Sequence, residues 1–335
     1  MKKVEEIYYY FLNHPVNYIC SLEDFMMTIP EFILGEENGL KKLDLSLARE
    51  YYSICLKMCD DLLLKNFHND PHNFVKNRFE AISMDFCSDP ISVTHKLRYG
   101  DFDYKYRGFT FTRDCFKDSV MPIVGVNTIG DYDIGTAYYI GDNRFVTAAH
   151  CVRDLSKFKI LKGSNPIILR EVWFAQGQDA QKYDLAVIVV DDQIDCKRLS
   201  LADPYILENV LTIGFPQISG FDVMQVAEIV AIGAYQKAAE GQILAQEREY
   251  MSNLDCFLIN ARVKGGNSGS PIINDEGHVV GTLIHIPADT QAASDNPRVD
   301  LMGYGVCLPS KYIVQLTDNP EKIQLVADGE FYRLA

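Results

Sequence analysis

Apolar residues recur at helical spacing along roughly the first hundred positions and then at alternate positions for two hundred more. Val4, Ile7, Tyr8 and Phe11 share one helix face. Leu47, Tyr51, Ile54, Cys55, Met58 and Leu62 line one side of a longer helix within 40–67. Phe79, Ile82 and Phe86 predict a third helix over 74–86, between the breaks at Asp70-Pro71 and Ser88-Asp89-Pro90. From Phe102 the period becomes two. Phe102, Tyr104 and Tyr106 alternate with Asp103 and Lys105, and Phe109 and Phe111 follow Gly108, a hairpin pattern. Short apolar runs then occupy 135–140, 144–148, 167–174, 185–190, 209–213, 223–232, 256–260, 270–273, 279–286 and 303–308, punctuated by Gly, Pro, Asn and Asp. Many short strands predict a β-barrel or sandwich. Pro309-Ser310 opens a terminal helix through Leu316. The expected fold is α+β and multidomain: a helical part over 1–118, then an all-β part over 119–335 that ends in a helix.

Composition narrows the class without changing this picture. The 335 residues are 47% hydrophobic and 23% charged, enough for a real core. A net charge of −14 disfavours nucleic acid and anionic membranes as partners. No run of about 18 apolar residues predicts a membrane span. Nine cysteines, an odd number without regular spacing, follow an N-terminus interrupted by Glu5-Glu6. A cytoplasmic protein with reduced thiols is expected.

Three short stretches carry the chemistry. Phe145-Val146-Thr147-Ala148-Ala149-His150-Cys151 places a histidine at a strand end behind small residues. Tyr183-Asp184 precedes the apolar run Leu185–Val190, so Asp184 is expected at a buried strand with a shielded carboxylate. Gly265-Gly266-Asn267-Ser268-Gly269-Ser270-Pro271 sets a serine among glycines. A serine hydroxyl needs a base to take its proton, and that base needs an orienter. Ser268 is therefore the candidate nucleophile, His150 the base and Asp184 the orienting carboxylate. The N–H groups of Gly266 and Ser268 are the candidate oxyanion hole.

These stretches resemble the trypsin-like (chymotrypsin-fold) serine proteases over roughly 120–315. The serine stretch is similar to the glutamyl endopeptidase branch. Tyr304-Gly305-Val306-Cys307-Leu308-Pro309-Ser310 and its helix are similar to the HtrA protease domain. The resemblance implies two six-stranded barrels with the three residues in the cleft between them, and peptide hydrolysis through an acyl-enzyme without metal or organic cofactor. It also implies an S1 pocket built from Arg262, Val263, Leu283, His285 and Gly305. Glutamyl endopeptidases hold a hydroxyl residue and a histidine where this chain has Val263 and Leu283. A small or apolar P1 residue is expected, with an acidic one, read by Arg262 or by His285 through a bulge, as the alternative. Secreted zymogens of the family insert a freed Ile-Val-Gly-Gly terminus against an Asp that precedes the nucleophile. Pro122-Ile123-Val124-Gly125-Val126 is similar to that start, but Asn267 precedes Ser268, so this stretch is read as an entering strand. Control is then expected from residues 1–118 or a protein partner. A selective protease of a bacterial stress or anti-phage response fits that organisation. The competing function is a non-catalytic peptide-binding protein on the same scaffold.

Cys55 and Cys59, and His68 and His72, stand at i, i+4, a spacing that binds zinc in other settings. Cys55 shares the apolar stripe with Ile54 and Met58, and Pro71 breaks the histidine pair, so core cysteines and surface histidines are expected and no metal. Trp173 and the run Tyr8-Tyr9-Tyr10 are read as packing residues.

Overall fold

The computed structural model describes residues 2–13, 20–37, 40–67, 70–176, 183–216, 236–248, 253–286 and 304–335. It separates into two compact units, Met1–Gly108 and Phe109–Ala335.

The first unit mixes helices with small sheets. Helix α1 (Val4–Leu12) buries Val4, Ile7, Tyr8 and Phe11, the face that the spacing defines. Strand β1 (Cys20–Ser21) leads into α2 (Leu22–Met26), where Ser21 and Asp24 form a reciprocal capping box. Strands β2 (Ile33–Glu37) and β3 (Leu40–Leu43) form a hairpin. Asp44 then accepts from the N–H groups of Ser46 and Leu47 to start α3 (Leu45–Asp60), which buries Tyr51, Ile54, Cys55 and Met58. Strands β4 (Leu64–Asn66) and β5 (Arg78–Ala81) join β1 in the order β1-β5-β4. Helix α4 (Pro90–Tyr99) starts at the Asp89 cap and stops at Gly100, where φ is +85°.

Two expectations fail here. The segment 74–86 is not an α-helix: two 3₁₀ turns, Phe74–Lys76 and Met84–Phe86, flank β5. Pairing of Phe79 with Cys20 and with Asn66 overrides the helical spacing. The expected hairpin from Phe102 is instead α5 (Asp101–Phe116), interrupted only at Gly108, where φ is +75°. Alternation there also satisfies i, i+4: the Phe102 and Tyr106 rings stack at 5.2 Å. The intervening polar residues are paired as well. Asp103 meets Arg107 at 3.2 Å and accepts from the Val4 N–H, and Lys105 meets Asp61 at 2.9 Å.

The second unit is a pair of closed barrels. The first uses β6 (Val120–Asn127), β7 (Tyr132–Gly141), β8 (Arg144–Thr147), β9 (Leu155–Lys162), β11 (Leu169–Ala175) and β12 (Ala186–Val190), with a short β10 (Asn165–Pro166) beside β9. The second uses β13 (Asn209–Gly214), β14 (Lys237–Arg248), β15 (Asp255–Ile259), β16 (Pro271–Asn274), β17 (Val279–His285) and β18 (Gly305–Pro309). The expected strand at 223–232 lies outside the described residues. The expected terminal helix is α7 (Lys311–Asp318), which buries Tyr312, Ile313 and Leu316.

The barrels are not both six-stranded. After α7 the chain forms a hairpin, β19 (Pro320–Asp328) and β20 (Phe331–Leu334), which enters the first barrel between β9 and β11. Trp173 pairs with Lys322, and Tyr332 pairs with Phe158. Strand β9 also pairs with β6, so eight strands close the first ring against six in the second. Ile323, Leu325, Tyr332 and Leu334 pack onto the core around Phe158, Val172 and Ile188. Lys159 is only 1% exposed; its ammonium donates to Glu330 Oε2 at 2.8 Å and lies 4.5 Å from the Phe331 ring centroid. Among the described residues no helix is long and apolar enough to cross a membrane.

Candidate active site

His150 leaves the first barrel where β8 gives way to the short helix α6 (His150–Arg153). Ala148 and Ala149 are buried behind it, so no side chain competes for the space. Asp184 stands two residues before β12, whose five residues are all buried. Its carboxylate grips the histidine twice: the His150 backbone N–H donates to Oδ1 at 2.9 Å, and Nδ1 donates to Oδ2 at 2.7 Å. A carboxylate only accepts, so the ring proton sits on Nδ1 and Nε2 is left as the basic atom. The expected shielding is partial, since the two side chains keep 37% and 31% exposure. The pair lies near the mouth of the cleft rather than deep inside a strand layer. Burial alone would lower the His150 pKa. The hydrogen bond to Asp184, aided by the Cys151 thiol, outweighs it and holds the imidazole above its ordinary range.

Ser268 comes from the second barrel. The Asn267 N–H donates to Lys264 O at 3.0 Å, closing a four-residue turn with Gly266 in third place at φ +94°. Gly265 has no positive φ, so the turn is type II and the peptide between the two glycines directs the Gly266 N–H oppositely to a type I turn. The neighbouring backbone is anchored across the barrels. Thr136 on β7 donates through its N–H to Ser268 O at 2.8 Å and through its hydroxyl to Gly266 O at 2.7 Å. The Thr136 hydroxyl in turn accepts from the Phe215 N–H at 3.2 Å. The Gly269 N–H donates to Leu283 O at 2.7 Å, and at φ +84° a Cβ on Gly269 would collide with Thr136 O. Thr136 was not marked by any sequence pattern; only the facing of β7 onto the serine turn reveals it.

His150, Gly266 and Ser268 line one cleft of about 150 Å³ with Ile134, Gly135 and Cys151. No hydrogen bond joins Ser268 Oγ to His150 Nε2. The remaining predicted residues are not gathered there. Arg262 and Val263 line a different cavity, of about 680 Å³. Leu283 and Gly305 face each other in the second barrel: a Cβ on Gly305 would stand 2.7 Å from Leu283 Cδ1. The bulge anticipated beyond Leu283 is present, since Leu283 pairs with Cys307 and His285 with Val306. His285 is exposed.

In the first unit Cys55 is fully buried, and burial pushes its thiol pKa up. Burial likewise raises Cys59, to about 11. His72 is exposed and His68 lies outside the described residues.

A double barrel with a carboxylate-bound histidine facing a serine turn across the cleft defines the trypsin-like serine protease class. Residues 135–281 match the model of the trypsin-like peptidase domain, so this part of the chain is such a domain. The chain is 26% identical over 197 residues to the serine protease Do-like HtrA of Lactococcus lactis subsp. lactis (strain IL1403), covering 58% of this chain and 44% of that protein. It is 25% identical over 184 residues to Protease Do-like 2, chloroplastic, of Arabidopsis thaliana, covering 51% and 28%. Its relatives thus lie on the HtrA side of the class, and it spans less than half the length of each. Among solved structures it is similar to the active form of the Rv3671c protease of M. tuberculosis, with TM-score 0.47 and 19% identity over 64% of this chain and 86% of that one. It is also similar to the HtrA-type protease AlgW with a tripeptide, with TM-score 0.46 and 16% identity over 63% and 62%.

Proposed function

We propose that this chain is a serine endopeptidase acting on a protein substrate, with Ser268, His150 and Asp184 as its triad. The observation that carries the reading is the two-point hold of Asp184 on His150, opposite Ser268 and Gly266 in one cleft. Ser268 Oγ attacks the scissile carbonyl carbon as its proton passes to His150 Nε2. The Gly266 and Ser268 N–H groups take the charge on the carbonyl oxygen. The C–N bond then breaks as the imidazolium returns its proton to the departing amine. Water, deprotonated by the same nitrogen, hydrolyses the acyl-enzyme and restores Ser268. Asp184 keeps the proton on Nδ1 and stabilises the imidazolium. No step calls for a metal or an organic cofactor.

A small or apolar P1 residue is the reading kept for specificity, since Val263 and Leu283 stand where glutamyl endopeptidases hold a hydroxyl residue and a histidine; a peptide library cut mainly after Lys or Arg would refute this. Residues 1–118, whose described residues include an apolar core of their own, serve as the regulatory or docking part of a chain whose protease domain is 119–335. Nine cysteines without a disulfide suit a reducing, cytoplasmic compartment. A dedicated second unit also suits selective cutting in a stress or anti-phage response. The open Ser268–His150 pair gives one foothold to the rival reading, a peptide-binding module without activity. A fluorophosphonate probe separates the two. Labelling of the full chain that disappears in Ser268→Ala supports the protease, and cleavage-site proteomics against the same variant then identifies substrate and P1. No labelling of the full chain, alone or with cell lysate, refutes it.

A further inference from the structure

Strand β7 meets the second barrel with two side chains, Thr136 and Tyr138, both fully buried. The sheet leaves the backbone groups of Thr136 for other partners. Pro122 lies opposite it on β6 and has no N–H to give. Strand β8 pairs with β7 at Tyr138, Tyr139 and Gly141, and so stops short of Thr136. The Thr136 N–H goes instead to Ser268 O at 2.8 Å, and Thr136 O accepts from the Thr147 hydroxyl at 2.7 Å. The side chain extends the same grip. Its hydroxyl donates to Gly266 O at 2.7 Å and accepts from the Phe215 N–H at 3.2 Å, so its one proton and a lone pair are both engaged. Three segments can meet this closely because residue 214 is a glycine: a Cβ there would stand 3.1 Å from Thr136 Oγ1 and 2.5 Å from Asn267 Oδ1.

We propose that Thr136 is a positioning residue, whose hydroxyl holds the Ser268 N–H on aim for the oxyanion from the opposite barrel. The proposal rests on the protease reading of Ser268. The Ser268 N–H belongs to the peptide unit between residues 267 and 268. Thr136 grips the carbonyl of the unit before it through its hydroxyl, and the carbonyl of the unit after it through its N–H. With both neighbours held, the middle unit has little freedom to rotate. The Phe215 N–H, just beyond β13, fixes the hydroxyl in turn. A donor aimed in advance needs no reorganisation when charge develops on the carbonyl oxygen. The hydroxyl therefore serves the transition state rather than ground-state binding.

Fluorophosphonate labelling of the full chain tests this, because the phosphonyl oxygen stands where the carbonyl oxygen would. Thr136→Val keeps the shape of the side chain and the backbone bond to Ser268 O, and loses both hydroxyl bonds. The saturating labelling rate should fall by about 10- to 100-fold, less than for outright loss of an oxyanion donor. The probe concentration that gives half of that rate should not move. Thr136→Ser keeps the hydroxyl and should label close to the wild-type rate. Tyr138→Phe is the control. It removes the other buried bond from β7 to the second barrel, the Tyr138–Thr282 hydroxyl pair at 2.7 Å, which does not touch the serine turn. It should lower the melting temperature and leave the labelling rate unchanged. Thr136→Ala makes the same deletion without a methyl against Gly266 O, and carries the test if the valine variant does not fold. A wild-type rate in Thr136→Val overturns the proposal. So does an equal loss in Tyr138→Phe, or a serine variant as slow as the valine one. Failure of the wild type to label refutes the protease reading instead. Amide exchange over residues 262–270 then decides the positioning role: faster exchange in Thr136→Val than in Tyr138→Phe supports it, and equal exchange overturns it.

Discussion

The two barrels hold their shares of the active site by different means. In the first, His150 is fixed by bonds of 2.7 Å from its ring and 2.9 Å from its backbone N–H to one carboxylate side chain. The ring that bears it is closed by eight strands, including a hairpin from the far end of the chain. In the second, Ser268 rides on a turn held by backbone hydrogen bonds and by glycines at positive φ, with two unmet hydroxyls behind it, on Thr212 and Ser270. A Cβ on Gly214 would stand 2.5 Å from Asn267 Oδ1, so even the back of the turn is fitted by the absence of a side chain. The base is built to stay in place. The nucleophile turn is set by a single peptide orientation, and a control device needs to act only there.

Removing the carboxylate tests the fixed half and carries the largest effect. Asp184→Asn should lower kcat by about 10⁴-fold, because an amide can donate to Nδ1 and stabilise the wrong tautomer. It should also change the pH profile. The base works when neutral, so activity falls as pH drops through the His150 pKa, which the Asp184 bond raises. Without that bond the acid limb of kcat/KM should move to lower pH. Stability follows the same linkage with its own sign. A raised folded pKa adds stability that is complete below the ordinary histidine value near pH 6.5 and is lost as pH rises through the folded value. The stability gap between wild type and Asp184→Asn should therefore narrow on raising the pH. An acid limb that stays in place would break the assignment of the raised pKa to Asp184.

Truncation after Asn319 tests how the first barrel is closed. Four partly buried side chains, Ile323, Leu325, Tyr332 and Leu334, would leave the core. At about 1–1.5 kcal/mol each the loss is about 5 kcal/mol. For a unit of this size that corresponds to a melting temperature lower by about 10–20 °C. Calorimetry of the full chain against the truncated one reads it directly. An unchanged melting temperature would mean that six strands suffice and that the hairpin is an ornament.

These contrasts were unequally legible in the sequence. The His150, Asp184 and Ser268 stretches could be read because each needs particular residues at adjacent positions: alanines behind the imidazole, an apolar strand after the aspartate, glycines where φ is positive. Strands of the barrels could be read because period two and β-branched runs reflect local pleating. The closing hairpin could not, since Gln324 meets Glu171 and Tyr332 meets Phe158 across more than a hundred intervening residues. Alternating aromatics from Phe102 misled because positions 102 and 106 satisfy both periods. The segment 74–86 misled because sheet pairing at Phe79 outweighed its helical spacing. The cavity lined by Arg262 and Val263 was hidden for a similar reason. Those two stand near Ser268 in sequence, but their companion Lys237 comes from a strand remote in the chain.

Gly266→Ala probes the adjustable half with a smaller effect. At φ +94° an alanine is strained, and its Cβ would press into Phe215 O and lie 3.2 Å from Pro216 Cα. The strain is relieved by turning the peptide between residues 265 and 266 to the type I form, which carries the Gly266 N–H away from the cleft. One oxyanion donor is then lost, and kcat should fall by about 10²- to 10³-fold. KM should change little, because that donor strengthens its bond only as charge develops on the oxygen. The acid limb should stay where the wild type has it, since the Asp184–His150 bond belongs to the other barrel. This separates the two halves: Asp184→Asn moves the pH profile and Gly266→Ala does not. A shift of the acid limb in Gly266→Ala would show that the turn and the base are coupled, and that the second barrel sets the histidine as well as the serine.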